Sequence, residues 1–255
     1  MKNIIITAGP TNERIDSVMK ITNMSTGALG AIIADEILNE KENEIGKLYY
    51  ISPKLAYKPK TESNKLEIVT IESTLDLLHA IKDIIKNTKI HGVIHSAAVG
   101  DYYGEYTITG EQLAKEIADK IYNVPMDKES LEKEILTIIE QPSTLTDNSG
   151  KISSYENNLM VKLGLTPKVI GYIKTYSPES TLVGFKLLDG VKEEELLQVA
   201  SNLLQKNNAD YIVANDLSQI GGGKHPATII NKNGIYAKCE TKKEIAKQLT
   251  KAIFY

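Results

Sequence analysis

The feature that most constrains the fold of this chain is the alternation of short apolar runs with segments of helical periodicity. The apolar runs predict strands at residues 4–7, 48–51, 66–71, 92–96, 181–187 and 211–214. The intervening segments predict helices at residues 28–38, 73–86, 168–176 and 192–206. Strands that alternate with helices are typical of a parallel sheet with helices on both faces. We therefore predict an α/β fold with a Rossmann-like core.

Residues 103–158 depart from this alternation. Residues 103–141 contain two helix-like stretches, of which the first begins after Thr109 with Gln112 as its capping partner. Residues 141–158 are polar and rich in Ser and Asn, a composition that predicts a long loop. We expect one domain over the whole chain of 255 residues, with residues 103–158 inserted as a lobe and flap.

The end of the chain predicts a hairpin followed by a helix. Apolar runs at residues 227–230 and 235–239 flank an Asn-Lys-Asn-Gly turn, and an Asn-Gly pair between two strand-like runs favours a tight reversal. Thr241 with Glu244 then predicts the capped start of a closing helix.

Composition excludes several function classes. The formal charge of −3 argues against a general nucleic-acid or membrane-surface binder. The single cysteine, Cys239, excludes an internal disulfide and a Cys-rich metal site. No apolar run reaches membrane-spanning length, and the chain enters its first strand without a signal-peptide pattern. We expect a cytoplasmic protein that binds small molecules.

The segment 4–30 has the order of parts that builds an anion site. An apolar strand ends in a small-residue loop, and a helix follows from Ala28 with Ser25 or Thr26 as its expected N-cap. Backbone N–H groups and the dipole at a helix start favour a phosphate, and Gly27 allows its close approach. The Gly-x-Gly-x-x-Gly fingerprint is absent, because Gly9 stands alone in the turn after the strand. Spacing alone leaves an ordinary capped helix and a phosphate site equally open.

Four blocks of residues in order resemble the phosphopantothenate–cysteine ligase family. They are the segment 7–30, with TAGPT at its start and ITNMSTG near its end, AAVGDY at 97–102, VGFK at 183–186 and DYIVAND at 210–216. In many bacteria this ligase is the second half of a bifunctional coenzyme A biosynthesis protein. The resemblance implies a stand-alone form of that half.

The resemblance implies a two-step ligation. The carboxylate of 4′-phosphopantothenate attacks the α-phosphate of CTP, or of ATP in some relatives, and pyrophosphate leaves. The amine of cysteine then displaces the nucleotide and forms an amide. Such a site must neutralise a triphosphate and polarise an acyl carbonyl, with Mg²⁺ held mainly by phosphates. The family also implies a homodimer whose sites lie near the interface.

The same resemblance assigns roles to individual residues. Asn23 and Lys151 are implied as the catalytic residues, and no protein ligand to a metal is implied. The implied substrate-binding residues are Ser25, Thr26, Gly27, Ala97 and Ala98. The implied nucleotide-binding residues are Gly9, His95, Ser96, Asp101, Thr166, Pro167, Lys168, Val169, Phe185 and Lys206.

Some residues depart from the family pattern. Relatives carry the lysine element nearer to the aspartate, and Ser153 and Ser154 replace two of its lysines here. Met19 stands where relatives commonly carry an arginine. Lys206 is one residue out of register, and Lys224 in a Gly-rich segment is another candidate for the triphosphate.

Two other functions remain open at this point. The run VIHSAA at 93–98 is also typical of short-chain dehydrogenases, although the early glycine fingerprint is missing and Tyr155 lacks a lysine four residues later. A non-catalytic nucleotide-binding module would bind ligand without releasing pyrophosphate.

Overall fold

The computed structural model describes residues 1–255, which form two compact units. The first unit contains residues 1–12, 23–99 and 167–255, and the second contains residues 13–22 and 100–166. The predicted lobe and flap at 103–158 lie within the second unit. That the whole chain acts as one domain stays a prediction, because compactness does not define a functional domain.

The chain contains twelve strands and seven α-helices. The strands are β1 Lys2–Thr7, β2 Asn12–Arg14, β3 Lys20–Thr22, β4 Ile45–Pro53, β5 Leu66–Ile71, β6 Gly92–His95, β7 Tyr102–Thr109, β8 Leu159–Leu165, β9 Thr181–Leu188, β10 Tyr211–Asp216, β11 Ala227–Asn231 and β12 Gly234–Cys239. The helices are α1 Ala28–Lys41, α2 Thr74–Asn87, α3 Gly110–Ile121, α4 Lys128–Glu140, α5 Val169–Tyr176, α6 Glu193–Lys206 and α7 Lys242–Phe254.

The first unit is built on an eight-stranded sheet in the order β12-β11-β10-β9-β6-β1-β4-β5. The six strands from β10 to β5 are parallel, whereas β11 and β12 form the predicted hairpin and pair antiparallel. Numbered among themselves in chain order, the parallel strands stand 3-2-1-4-5-6. This is the order of a doubly wound sheet, and its connections reverse direction between β1 and β6. The predicted Rossmann-like core is therefore confirmed.

Hydrophobic cores cover both faces of this sheet. The side chains of a strand alternate between faces, and the run Ile4–Ile6 shows this directly, since Ile4 and Ile6 join one core and Ile5 the other. Helices α1 and α7 pack on the first face, and α2, α5 and α6 pack on the second. All three isoleucines are fully buried, as expected for a central parallel strand.

Local signals correctly predicted the capped starts of α2 and α7. The hydroxyl of Ser73 accepts the backbone N–H of Asp76, and the Asp76 side chain accepts the backbone N–H of Ser73, which confirms the capped start of α2. The hydroxyl of Thr241 accepts the backbone N–H of Glu244 at the start of α7. These caps depend only on neighbours along the chain, and that is why sequence alone reveals them.

The second unit combines an antiparallel ribbon with two helices. Strands β7 and β8 pair along their length, and α3 begins with the predicted capping box of Thr109 and Gln112. The core of this unit is formed by Tyr106, Ile108, Leu113 and Ile138. The two helices are confirmed. The sequence did not reveal β7 and β8, because their pairing joins residues that lie 50 to 63 positions apart. Residues 141–158 contain no helix or strand.

None of the seven helices combines the length and apolarity that crossing a bilayer requires.

Candidate functional site

The loops that follow β1 and β6 run side by side at the switch point of the sheet. The backbone N–H of Ala98 donates to the carbonyl of Gly9 over 2.9 Å, and that of Thr11 donates to the carbonyl of Ala98 over 3.2 Å. The parallel register of the two strands thus continues beyond their ends. In an open α/β sheet, the crevice at this position is where ligands bind. We call the surroundings of Gly9, Ala97 and Ala98 the switch-point crevice.

The start of α1 packs directly against Gly9. A Cβ atom placed on Gly27 would lie 3.0 Å from the backbone nitrogen of Gly9 and 3.1 Å from its Cα atom. Gly27 is also the N-cap of α1 and has a φ of 77°, a left-handed conformation that glycine adopts without strain. The close contact and the positive φ both require glycine at this position.

The prediction that Ser25 or Thr26 caps α1 is wrong. With Gly27 as the N-cap, no side chain caps the first turn of the helix. The hydroxyls of Ser25 and Thr26 instead accept the backbone N–H groups of Gly27 and Ala28, each over 3.4 Å. Because Gly27 occupies the N-cap position in a left-handed conformation, both hydroxyl residues lie outside the helix.

Asn23 reaches the switch-point crevice from the segment before α1. Its side-chain amide donates to the carbonyl of Ala98 over 3.3 Å and to that of Val99 over 3.2 Å. The side chain is exposed to solvent. The structure therefore brings together five of the residues singled out from sequence, namely Gly9, Asn23, Gly27, Ala97 and Ala98.

A buried polar network supports the loop after β6. The backbone N–H of Ala97 donates to the hydroxyl oxygen of Thr7 over 3.2 Å, and this oxygen lies 2.9 Å from Nδ1 of His95. Ser96 donates from both its backbone and its hydroxyl to the carbonyl of Thr7. The Thr7 hydroxyl therefore joins the backbone of Ala97 to the ring of His95. The network fixes the backbone that lines the crevice.

His95 is 7% exposed, and burial lowers its pKa from the ordinary 6.5 to about 4. The ring is therefore neutral at pH 7. That His95 contacts the nucleotide stays a prediction, and the buried position of the ring favours an action through Thr7 and the loop backbone.

We expect His95 to make folding stability sensitive to mild acid. A histidine with a lowered pKa in the folded state contributes stability above pH 6.5, and this contribution is lost as the pH falls toward about 4. Between pH 7 and pH 5 the loss amounts to about 2 kcal/mol of the free energy of unfolding. Urea denaturation of the wild type and of His95→Gln at both pH values measures it. An equal fall in both proteins would contradict the assignment, because His91 and His225, whose pKa values burial also lowers, remain in both.

Phe185 and the start of α5 lie at the same edge of the sheet. His95 pairs with Gly184, so Phe185 is the first residue of β9 beyond the end of β6. Helix α5 precedes β9, and its N-terminus, with Pro167 and Lys168, therefore lies at the carboxyl ends of the parallel strands. The side chain of Val169 is buried in the second core, so that only its backbone is available to a ligand.

Three predicted residues belong to the second unit. The carbonyl of Asp101 accepts the backbone N–H of Thr166 over 3.0 Å, and the Thr166 hydroxyl donates to the carbonyl of Gly100. Asp101 itself is exposed, whereas Thr166 is buried. Lys151 is exposed in the loop 141–158. The structure thus pairs Asp101 with Thr166 and leaves Lys151 on a separate segment of this unit.

The placement of Lys206 requires a correction. Lys206 is the last residue of α6, and β10 begins at Tyr211 a few residues later. It therefore lies at the amino ends of the strands, about 20 Å from their carboxyl ends for a strand of this length. Lys206 thus lies at the end of the strands opposite to the switch-point crevice.

The Gly-rich segment that ends in Lys224 is a tight turn. Gly221 and Lys224 exchange backbone hydrogen bonds, and Gly222 and Gly223 have φ values of 57° and 84°. No helix follows this turn, so its N–H groups do not form the phosphate loop that precedes a helix. The chain also contains no cluster of three or more His, Cys, Asp or Glu side chains placed to hold a metal.

The strand order and the switch-point crevice define a doubly wound α/β protein of the Rossmann type. A family model described as the DNA/pantothenate metabolism flavoprotein C-terminal domain matches residues 1–139 and 142–255, and the chain belongs to this family. The ligase-family resemblance of the four sequence blocks is thereby confirmed.

Curated relatives agree with this assignment. The coenzyme A biosynthesis bifunctional protein CoaBC of Thermococcus kodakarensis is 29% identical over 251 residues, which are 97% of this chain and 50% of that protein. The protein of the same name from Methanocaldococcus jannaschii is 24% identical over 252 residues, again 50% of its length. The chain therefore spans about half the length of the curated relatives it matches.

Solved structures share the fold. The crystal structure of the DNA/pantothenate metabolism flavoprotein from Streptococcus pneumoniae is 35% identical and superimposes with a TM-score of 0.79, covering 99% of this chain and 98% of that one. The C-terminal domain of a CoaBC protein has a TM-score of 0.65 at 23% identity, covering 99% of this chain and 93% of that one. The second likeness concerns the fold alone.

Two residues of the segment 7–30 have structural roles that the sequence did not reveal. Thr7 is a polar residue at the end of an apolar strand, and that position was the available signal. Asp16 is buried and accepts three backbone N–H groups within the second unit, two of them from its own turn. The third comes from a residue far along the chain, which no local pattern reveals.

Proposed function

We propose that this chain joins 4′-phosphopantothenate to L-cysteine through an acyl-nucleotide, with CTP as the activating nucleotide. The observation that carries the proposal is the position of Asn23, whose amide lies beside Ala98 and Val99 at the switch point of the sheet. Membership in the DNA/pantothenate metabolism flavoprotein family supports it, as does the ligase resemblance of the segment that contains Asn23. A solved relative with the same fold is the H337A mutant of Cab2 in complex with phosphopantothenate-cysteine.

The proposed reaction has two displacements. A carboxylate oxygen of phosphopantothenate attacks the α-phosphorus of CTP, and pyrophosphate leaves with the electrons of the broken P–O bond. The amine nitrogen of cysteine then attacks the acyl carbon, CMP leaves, and the nitrogen loses a proton. No covalent bond to the protein forms, so positioning and charge stabilisation carry the catalysis.

Asn23 is the residue we place at the acyl group. In the ligand-free chain this amide donates to the carbonyls of Ala98 and Val99. We propose that one of its N–H groups turns to the acyl oxygen and stabilises the negative charge that develops there during the second displacement. The hydroxyls of Ser25 and Thr26, with the backbone at Gly27 and the start of α1, bind the phosphate of phosphopantothenate. Ala97 and Ala98 line the path of the substrate with backbone groups held by Thr7.

The nucleotide is assigned to the surrounding residues. We propose contacts from the segment around Gly9 and from Ser96, Asp101, Thr166, Pro167, Lys168, Val169 and Phe185, with His95 acting through Thr7. Lys151 contacts the triphosphate in this scheme. Mg²⁺, when bound, would be held mainly by the phosphates and would neutralise part of their charge.

The dehydrogenase alternative has no support in the crevice. Gly9 is the single glycine of the turn after β1, so the glycine fingerprint that binds a dinucleotide is absent there. We therefore retain the ligase.

One assay tests the proposal. We expect the purified protein to release pyrophosphate only when phosphopantothenate, nucleotide and Mg²⁺ are all present, and to form the amide when cysteine is added. Parallel reactions with CTP and ATP measure the nucleotide preference. Nucleotide binding without phosphopantothenate-dependent pyrophosphate release would replace the ligase with a non-catalytic module.

The resemblance also leads us to propose a homodimer with sites completed across its interface. We expect an equal mixture of Asn23→Ala and Asp101→Ala, after subunit exchange, to recover about a quarter of wild-type activity, because half of the dimers then contain one intact site. Mass spectrometry of differently tagged protomers verifies the exchange. Verified heterodimers without activity would contradict the shared site.

A further inference from the structure

Asp16 joins two distant segments of the second unit. One carboxylate oxygen accepts the backbone N–H groups of Val18 and Met19, each over 2.6 Å, and the other accepts the N–H of Ile152 over 3.0 Å. The residue is 4% exposed. Hydrogen bonds from Met19, Ile152 and Val18 lower the pKa of this carboxyl below its ordinary value, so it is ionised at neutral pH. A charged acceptor that serves three backbone donors is a strong link between the two segments.

The residues on both sides of Lys151 are hydrogen-bonded to the segment that contains Asp16. On one side of Lys151 the carbonyl of Gly150 accepts the backbone N–H of Ser17 over 3.3 Å, and on the other side Ile152 donates to Asp16. The side chain of Ile152 is 5% exposed, whereas that of Lys151 is exposed. The backbone is thus held on both sides of a lysine whose side chain projects into solvent.

The same loop has a second carboxylate link far from Lys151. Glu116 of α3 accepts the backbone N–H of Ser143 over 2.7 Å and that of Thr144 over 3.3 Å. Its chemistry matches that of Asp16, but it holds the beginning of the loop, about seven residues before Lys151. The loop 141–158 therefore contains two comparable links, of which one adjoins the lysine.

We propose that Asp16 is a positioning residue that presents Lys151 to the triphosphate of the nucleotide. The inference rests on the proposed function for the role of Lys151, while the link itself rests on the contacts of Asp16. Holding a flexible cationic side chain by its backbone reduces the conformational entropy lost when the anion binds. The carboxylate acts through the backbone of Ile152 and does not touch the substrate.

The test removes the carboxylate of each link in turn and measures the KM for CTP. In Asp16→Asn one carboxylate oxygen becomes an NH₂ group, which faces a backbone N–H as donor against donor whichever way the amide turns. We expect the KM for CTP to rise roughly 10- to 100-fold, with a smaller change in kcat and in the KM for phosphopantothenate. Glu116→Gln, the matched control, is expected to leave the KM for CTP within about twofold.

A double variant separates positioning from general damage. If Asp16 acts through Lys151, Asp16→Asn adds nothing to the KM for CTP once Lys151 is alanine, because the two changes remove one interaction. Additive effects in Lys151→Ala/Asp16→Asn would overturn the proposal, as would an equal rise in KM for Glu116→Gln.

Two further measurements keep the proposal independent of the ligase assignment. Hydrogen exchange of the ligand-free protein is expected to quicken at Ile152 in Asp16→Asn and to stay unchanged there in Glu116→Gln. Calorimetry measures CTP affinity without turnover. A protein that binds CTP but releases no pyrophosphate would refute the ligase, and its CTP affinity would still test the role of Asp16. Unchanged CTP affinity in Asp16→Asn would refute the positioning role of Asp16 and leave the ligase assignment untouched.

Discussion

Replacing Asn23 with alanine is expected to slow amide formation by roughly 100- to 1,000-fold while the acyl-nucleotide still forms. The amide of Asn23 donates to two backbone carbonyls at the switch point. Alanine removes the N–H group that we propose turns from these carbonyls to the charge that develops on the acyl oxygen. This loss corresponds to about 2.7–4 kcal/mol of transition-state stabilisation. Rapid-quench experiments with labelled CTP separate the two steps.

A matched control distinguishes the donor from a structural role. Asn87 is also exposed, and its side-chain amide donates to a backbone carbonyl, that of Asp83, over 2.8 Å at the end of α2. Asn87→Ala should therefore leave both steps unchanged. An equal slowing of acyl-nucleotide and amide formation in Asn23→Ala would indicate that Asn23 holds the loop at Val99 and does not act on the acyl group.

Replacing Gly27 with alanine is expected to lower the free energy of unfolding by about 2–5 kcal/mol. Two costs contribute to this value. A left-handed φ of 77° costs an L-residue roughly 1–2 kcal/mol, and the new Cβ meets the backbone of Gly9 at 3.0 Å, where nothing flexible can move aside. Urea denaturation followed by circular dichroism measures the change.

Gly190 is the control for the first of these costs. It has a φ of 64°, and an added Cβ would meet nothing within 4 Å. Gly190→Ala should therefore cost only the backbone term, about 1–2 kcal/mol. Equal losses in the two variants would mean that the loop after β1 yields to the methyl group and that Gly27 is required for its conformation alone.

The sequence predicted which residues belong to the candidate site better than it predicted how these residues are arranged in space. Gly9, Asn23, Gly27, Ala97 and Ala98 were singled out from blocks that lie up to 90 residues apart, and the structure brings them to one crevice. Their roles as ligands stay predictions, because no bound substrate defines them. The resemblance misled for Lys206, which stands before the strand β10 and therefore adjoins the amino end of that strand.

The flap at residues 141–158 illustrates a different limit. Its polar composition predicted a loop, and the structure confirms that it has no helix or strand. Composition did not reveal that Glu116 and Asp16 hold the loop at two points. Ordering of the flap on nucleotide binding stays a prediction, which hydrogen exchange with and without CTP tests.

The sequence by itself determined the local elements of this protein. The alternation of Ile4–Ile6 between the two cores, the capping boxes at Ser73 and Thr109 and the N-cap at Thr241 arise from residues within a few positions of one another. Such signals need no tertiary context, because the chain satisfies the first N–H groups of each helix with its own neighbouring side chains.

Only the tertiary structure decided the strand order, the pairing of β7 with β8, the contact of Gly27 with Gly9 and the link from Asp16 to Ile152. Each joins residues that are distant in sequence, and each depends on which surfaces are buried together once the sheet has formed. The sequence shows that residue 27 is glycine and that residue 152 has a backbone N–H group, but it does not show which distant group lies against either of them. The partner of each is chosen by packing, since buried polar groups must be paired and the interior leaves no space unfilled.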